Sequence, residues 1–265
     1  MNFDPTIADT MMEAAKEPIA NIVNPPTRST GRFFGDTLDF WFSNREFKYA
    51  KKKIMDEAAL RKFREECEAE FAKIPEDELV PPRKALLLPA LDAAEYFVEE
   101  EELRQMFARL IAATCDMRKA SKVHPSFKVI IQELSPLDAQ NLVHIKSYQY
   151  EVIAQIKQTD FNYNKQIYET YILPTYYLHE NFRESDVALQ SVSINVLSKL
   201  GLIDLVLVPE NKGIYDHLFE EVISKMREKS KTDSFELILM SAKITDLGNR
   251  FYSICLPHLF QEATP

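Results

Sequence analysis

Apolar positions in this chain recur mostly at helical spacing. The clearest case follows Glu99 to Glu102, where Leu103, Met106, Phe107, Leu110 and Ile111 occupy the i, i+3, i+4, i+7, i+8 positions of one face. That stripe predicts a helix with a buried side, and the acids suit its first turn because they face the positive end of the helix dipole. Phe127, Ile130, Ile131 and Leu134 repeat the period after a short polar loop, so the two stripes are expected to pack together. Ser135-Pro136-Leu137-Asp138 then reads as an N-cap, a first-turn proline and an acid at N3, which starts a further helix.

Upstream, residues 6–23 read as a weakly amphipathic helix that ends before Asn24-Pro25-Pro26, since proline cannot continue a helix interior. A second helix is expected from Ser29 through Phe42 and a third, highly charged one over about 46–73. Ile74-Pro75-Glu76-Asp77-Glu78 looks like another helix start. A helix over about 83–98 should be kinked or split by Pro89. Tyr148, Tyr150, Val152, Ala154 and Ile156 alternate as in a strand, and 168–177 is rich in β-formers around Pro174, so a hairpin is expected within 148–178.

The last third changes character. Ser185 can cap a helix that stops at Gly201, a natural residue after a helix end. Leu202 to Val208 and Phe235 to Met240 read as strands, 214–229 as helical, and Thr245 as the cap of a final helix. Helix, strand, strand, helix is the order of a winged helix-turn-helix, with an unusual helical insertion between the strands. The expected fold is therefore mainly α: a helical domain followed by a winged-helix-like C-terminal module with a small β-sheet. The boundaries are 1–73 for an N-terminal helical region, 74–180 for a helical core and 181–265 for the module.

Composition narrows the classes. The chain has 265 residues, 46% hydrophobic and 28% charged, which is globular. Only five glycines occur, and none lies between Gly35 and Gly201, which favours helices and leaves little scope for a Gly-rich phosphate loop. The formal net charge of −9 opposes phosphate. A local basic stretch (Arg45, Lys48, Lys51, Lys52, Lys53, Arg61, Lys62, Arg64) is offset by Glu46, Asp56 and Glu57, and a solvated helix face explains it. Tight binding to duplex DNA is not expected. Three scattered cysteines without a C-x-x-C suit a reducing cytoplasm, and an acidic N-terminus argues against a secretory signal. No uncharged apolar run of ~18 residues suggests a membrane span.

Few residues invite chemistry. His124 precedes Pro125 and Ser126 where two helices meet, so His124 and Ser126 are candidates for a polar contact to a partner; the plainer reading is that the imidazole ties down the loop. His144, His179, His217 and His258 are dispersed, without metal-ligand or triad spacing. The acids 99–102 are better explained as a solvated first turn than as a catalytic pair. Cys115 sits beside Asp116, whose charge should raise the thiol pKa. No catalytic residue, cofactor or metal is expected. The segment 29–43 is different. At about 100° per residue, Phe34, Leu38, Trp41 and Phe42 share one face while Phe33 and Phe40 lie on another. Two apolar ridges mean either enclosure within this chain, or packing in a homo-oligomer or at a membrane interface.

Four stretches carry a likeness: IPEDELVPP (74–82), EEELRQMFARLIAA (100–113), VHPSF (123–127) and IIQELSPLDA (130–139). In order and spacing they resemble the Abi-alpha (abortive infection alpha) family of bacterial phage-defence-associated proteins. LSKLGLI (197–203) and ITDLGNRF (244–251) resemble that family's usual ending. The resemblance is densest over about 74–145 and implies a helical fold and an association with abortive infection, with no known reaction or catalytic residue. The resulting expectation is a non-enzymatic interaction or sensor protein of antiviral defence, cytoplasmic or peripheral to the inner membrane. Its partner would be another protein, a second copy or a membrane surface. The alternatives are a winged-helix transcriptional regulator and a hydrolase with an unrecognised site.

Overall fold

The structure, a computed structural model, describes residues 39–43, 57–148, 151–162, 164–178, 187–208, 219, 224 and 235–256. The expected helices at 6–23 and 214–229 and the Ser185 cap fall outside the described residues, Phe219 and Ser224 excepted. Contacts divide the chain into two compact units, residues 1–133 with 254–257, and residues 134–253 with 258–265.

The first unit is helical. After a helical stretch at 39–43 come α1 (Glu57–Ala72), a 3-10 turn (Glu76–Glu78), α2 (Lys84–Ala94), α3 (Glu101–Ala113), α4 (Met117–Ala120) and α5 (Phe127–Glu133). α3 packs against α1, α2 and α5, which makes it the hub. Its stripe Leu103, Met106, Phe107, Leu110 and Ile111 is buried throughout, as are Phe127, Ile130 and Ile131 of α5. The two periodic faces found in the sequence thus meet, because each needs an apolar partner and the connection is short.

Two local expectations change. Ile74–Glu78 yields the 3-10 turn Glu76–Glu78 rather than a full helix. α2 ends at Ala94, four residues before the expected end at 98, and Pro89 does not split it. Proline removes the donor for the carbonyl of Ala85, and Ala85 is exposed, so water can serve that carbonyl. Of the charged helix expected over 46–73, the described part begins at Glu57.

The second unit joins helices to an antiparallel sheet. It contains α6 (Pro136–Tyr148), β1 (Glu151–Asn162), β2 (Ile167–Ile172), β3 (Tyr177–Leu178), α7 (Val187–Lys199), β4 (Ile203–Leu207), β5 (Phe235–Ile244) and most of α8 (Asp246–Cys255). The sheet order is β2-β1-β5-β4, with β3 also on β1. The hairpin expected within 148–178 is β1–β2, and the chain leaves β2 before Pro174. Tyr148 ends α6 instead of starting the strand.

One face of the sheet carries a cluster of Val152, Ala154, Ile156, Tyr177, Phe219, Leu237 and Leu239. α6 packs on β5 and on α7. The order α7, β4, β5, α8 is the one expected, but β5 is shared between β4 and the long strand β1. The fold is mainly α with a small antiparallel sheet.

The helix ends read at Ser135, Gly201 and Thr245 are present. Ser135 N donates to Asp138 Oδ2 at 2.7 Å while Asp138 N donates to Ser135 Oγ at 3.2 Å, a reciprocal capping box. Gly201 follows α7 with φ +69°, the left-handed conformation that ends helices. Thr245 Oγ1 accepts from Gly248 N at 2.9 Å and donates to Gly201 O at 2.6 Å, so one hydroxyl caps α8 and fastens the turn after α7. Asn141 Nδ2 reaches Gln190 Oε1 and Ser193 Oγ at 2.7 and 2.9 Å, and Lys146 Nζ reaches Asn249 Oδ1 at 2.7 Å, which ties α6 to α7 and to α8.

Candidate functional site

The polar candidates are His124 and Ser126. His124 is exposed and leads into α5, with Phe127 N donating to His124 O at 3.0 Å. Ser126 N donates to His124 Nδ1 at 3.2 Å, and Ser126 Oγ lies 2.7 Å from the same nitrogen. Nδ1 is therefore engaged by its own turn. The crevice beside it, between Leu86, Leu110, Val123 and Lys128, has a free volume of about 10 Å³, the room one water needs. A metabolite does not fit there.

The charged groups near the centre of the first unit hold helices together. Arg104 is buried and forks onto Glu66, Nε to Oε2 at 3.0 Å and Nη2 to Oε1 at 2.9 Å, with Nη1 donating to Val98 O at 2.9 Å. Arg109 pairs with Glu70 at 3.4 Å and donates to Cys255 O at 3.2 Å. Burial pulls the Arg109 guanidinium below its usual pKa, and Glu70 opposes the shift. These pairs link α1 to α3. They span nearly forty residues of sequence, so periodicity could not have revealed them. Asp116 accepts from Arg118 N, Nε and Nη2 at 2.9, 2.8 and 2.8 Å. Chiefly through the side-chain hydrogen bond from Arg118, its carboxyl is held below the usual range. It caps α4 just after Val80 N has closed onto Cys115 O.

All three thiols are buried. Burial pushes Cys115 up to about 12, with a small opposing effect of the Thr114 hydroxyl. The expected cause was the neighbouring Asp116, but that carboxylate is spent on Arg118, and loss of water is what raises the thiol. Burial also raises Cys67 and Cys255, and Glu66, Glu68 and Glu70 add to the rise at Cys67. The thiolate is the nucleophile, so none of these is poised to react. A thiol reagent at about pH 8 should modify the native chain only as fast as it unfolds. Rapid modification of even one cysteine in folded protein would contradict this.

The aromatic segment divides. Phe33, Phe34 and Leu38 lie outside the described residues. Trp41 and Phe42 are buried in the first unit, in edge contacts with each other and with Phe63 of α1, at centroid distances of 4.9, 5.9 and 5.7 Å. Phe40 is exposed. Arg64 pairs with Asp39 and with Glu68 and lies 5.9 Å from the Phe42 ring, so this base is neutralised locally.

The exposed apolar side chains are elsewhere. α7 turns Leu189 and Val192, one helical turn apart, to solvent at 61% and 59% exposure. Ile167, Tyr168, Tyr171 and Ile172 of β2 are also exposed. The β-rich composition of β2 was visible in sequence, but not its position at an edge. No group of three His, Cys, Asp or Glu suited to a metal occurs among the described residues, and no described helix is long and apolar enough to cross a membrane.

Residues 55–255 match the model of the family described as "Abortive infection alpha". The chain belongs to the abortive infection alpha family. The match extends well beyond 74–145 and takes in both structural units. The Abi-alpha assignment points to a role connected with abortive infection. No curated protein matches the chain. A solved structure, of an uncharacterized protein from the hydrocarbon-degrading marine bacterium Alcanivorax borkumensis SK2, is 11% identical, covering 52% of this chain and 94% of that one. Its TM-score of 0.31 is too low to carry an argument.

Proposed function

We propose that this Abi-alpha chain is a non-enzymatic interaction protein of an abortive-infection defence system and acts by docking to another protein. Family membership over 55–255 carries the defence role. The mode of action is supported by the distribution of side chains. Buried ionic groups brace helices, the thiols are buried, and His124 is held by its own turn. α7 exposes Ala188, Leu189 and Val192 along with Asn195 and Lys199. In the winged-helix reading of α7, β4, β5 and α8, α7 is the helix that would enter a DNA groove. Its Leu189 and Val192 suit a protein surface better, and its one base is Lys199 at the last turn. A protein is preferred over a membrane because Trp41 and Phe42 are already committed to the core.

Affinity capture of the full chain, with cross-linking, from infected and uninfected cells tests the reading. Cross-links from α7 to one protein are expected, with Leu189→Asp plus Val192→Asp abolishing capture and leaving the thermal melt unchanged. Nanomolar, salt-sensitive affinity for a duplex in a fluorescence-anisotropy titration would overturn it and make the chain a regulator.

A further inference from the structure

Among the described residues, β2 is paired on one side only. It pairs with β1 from Lys157↔Ile172 to Asn162↔Ile167 and ends the sheet path. Among the described residues, β1 pairs with β5 from Glu151↔Ala242 to Gln158↔Phe235, and Thr159 to Asn162 pair with β2. β2 shows Ile167 at 48%, Tyr168 at 74%, Tyr171 at 43% and Ile172 at 54% exposure. Edge strands are usually blunted by lysine, proline or a bulge. β2, IYETYI, has neither lysine nor proline. Its lone charge, Glu169, pairs with the exposed Lys165 Nζ at 2.7 Å and accepts from Asn162 Nδ2 at 2.9 Å.

We propose that the occupant of this edge is a second copy of the chain, joined β2 to β2 in antiparallel register with Thr170 opposite Thr170. Symmetry and charge lead to that register. A two-fold axis relating antiparallel edge strands keeps each sheet face on its own side, so opposed residues must differ by an even number in sequence. The pairing can then centre on Glu169 or on Thr170. Centring on Glu169 sets two carboxylates directly opposite each other, which is destabilising. Centring on Thr170 sets Tyr168 against Ile172, Ile167 against Leu173 and Glu169 against Tyr171, each pair occurring twice. Every exposed apolar residue of the strand gains a cross-strand neighbour and no like charges meet. Within one copy, Thr159 Oγ1 and Thr170 Oγ1 already lie 2.9 Å apart. The dimer extends this pair into a row of four hydroxyls across a continuous sheet. This interface goes beyond the defence reading and does not depend on it, since α7 and its partner are tested by separate substitutions.

Sedimentation velocity on the full chain tests the interface. The wild type should be a dimer at micromolar concentration. Thr170→Glu and Thr170→Lys should each weaken association about tenfold or more by opposing like charges, with unchanged circular dichroism. An equimolar mixture of the two variants should dimerise again, because Glu then faces Lys. A wild type that stays monomeric at about 100 µM, well above the range of specific association, overturns the proposal. So does a Thr170→Glu chain that dimerises like the wild type, or a mixture that remains monomeric.

Discussion

Phe107→Ala should lower the stability of the first unit by about 3–5 kcal/mol. Phe107 is fully buried at the middle of α3, the helix that meets α1, α2 and α5. Its ring lies 5.9 Å from that of Phe97 in a tilted contact. Truncation removes the transfer energy of the ring and leaves a cavity that three helices cannot all close, so the cost belongs in the upper range for core deletions. The readout is built in. The single tryptophan, Trp41, is buried against Phe63 in the same unit, and its fluorescence during urea unfolding reports the loss locally. A loss under about 1 kcal/mol would mean that α3 is not the hub of a packed core.

Gly248→Ala should cost about 3 kcal/mol or more, the severe end of overpacking. A Cβ at Gly248 would sit 2.1 Å from Leu202 O, 2.8 Å from Ile244 Cγ1 and 3.0 Å from the Leu202 carbonyl carbon. The obstacle is mainly backbone, and that backbone is held by Thr245 N donating to Leu202 O at 3.0 Å and by the Thr245 hydroxyl on Gly201 O. Neither side can yield without breaking the cap of α8. Gly201→Ala is the control. There the nearest atom is Leu247 Cδ2 at 3.8 Å, so only the left-handed φ resists, at about 1–2 kcal/mol. Hydrogen exchange of the β4 and β5 amides should rank the two variants in that order. Equal costs would contradict the close approach of α8 to the Gly201 turn.

The sequence made the helical unit readable because its core is periodic. Leu103 to Ile111 and Phe127 to Ile131 announce their faces by spacing alone, and Ser135, Thr245 and Gly201 announce ends by chemistry that acts over three or four residues. Long-range partners leave no such trace. Nothing in the local pattern assigns Arg104 to Glu66, or tells that β5 would sit between β4 and a strand more than seventy residues upstream. Tyr148 misled because alternation over two tyrosines cannot compete with a helix already propagating from Pro136. The aromatic segment was ambiguous for a physical reason: two apolar ridges state that a helix is covered, not by what. Trp41 and Phe42 turn out to be covered by Phe63 of α1. Exposed apolar groups such as Leu189 and Tyr168 were invisible as surface features, since a β-former or a leucine in sequence is ordinarily counted towards the core.

The proposed mode of action, contact without chemistry, is tested most directly by phage plating efficiency on cells that the wild-type chain protects. Each exposed or half-exposed His, Asp, Glu, Ser, Thr and Tyr would be changed singly to alanine. A catalytic group typically carries a factor of hundreds or more in rate, so its loss is all or nothing. The expected result is that no folded variant retaining its captured partner loses protection, while Leu189→Asp with Val192→Asp loses both partner and protection. A single folded variant that still captures the partner yet gives no protection would contradict the account and expose a reaction.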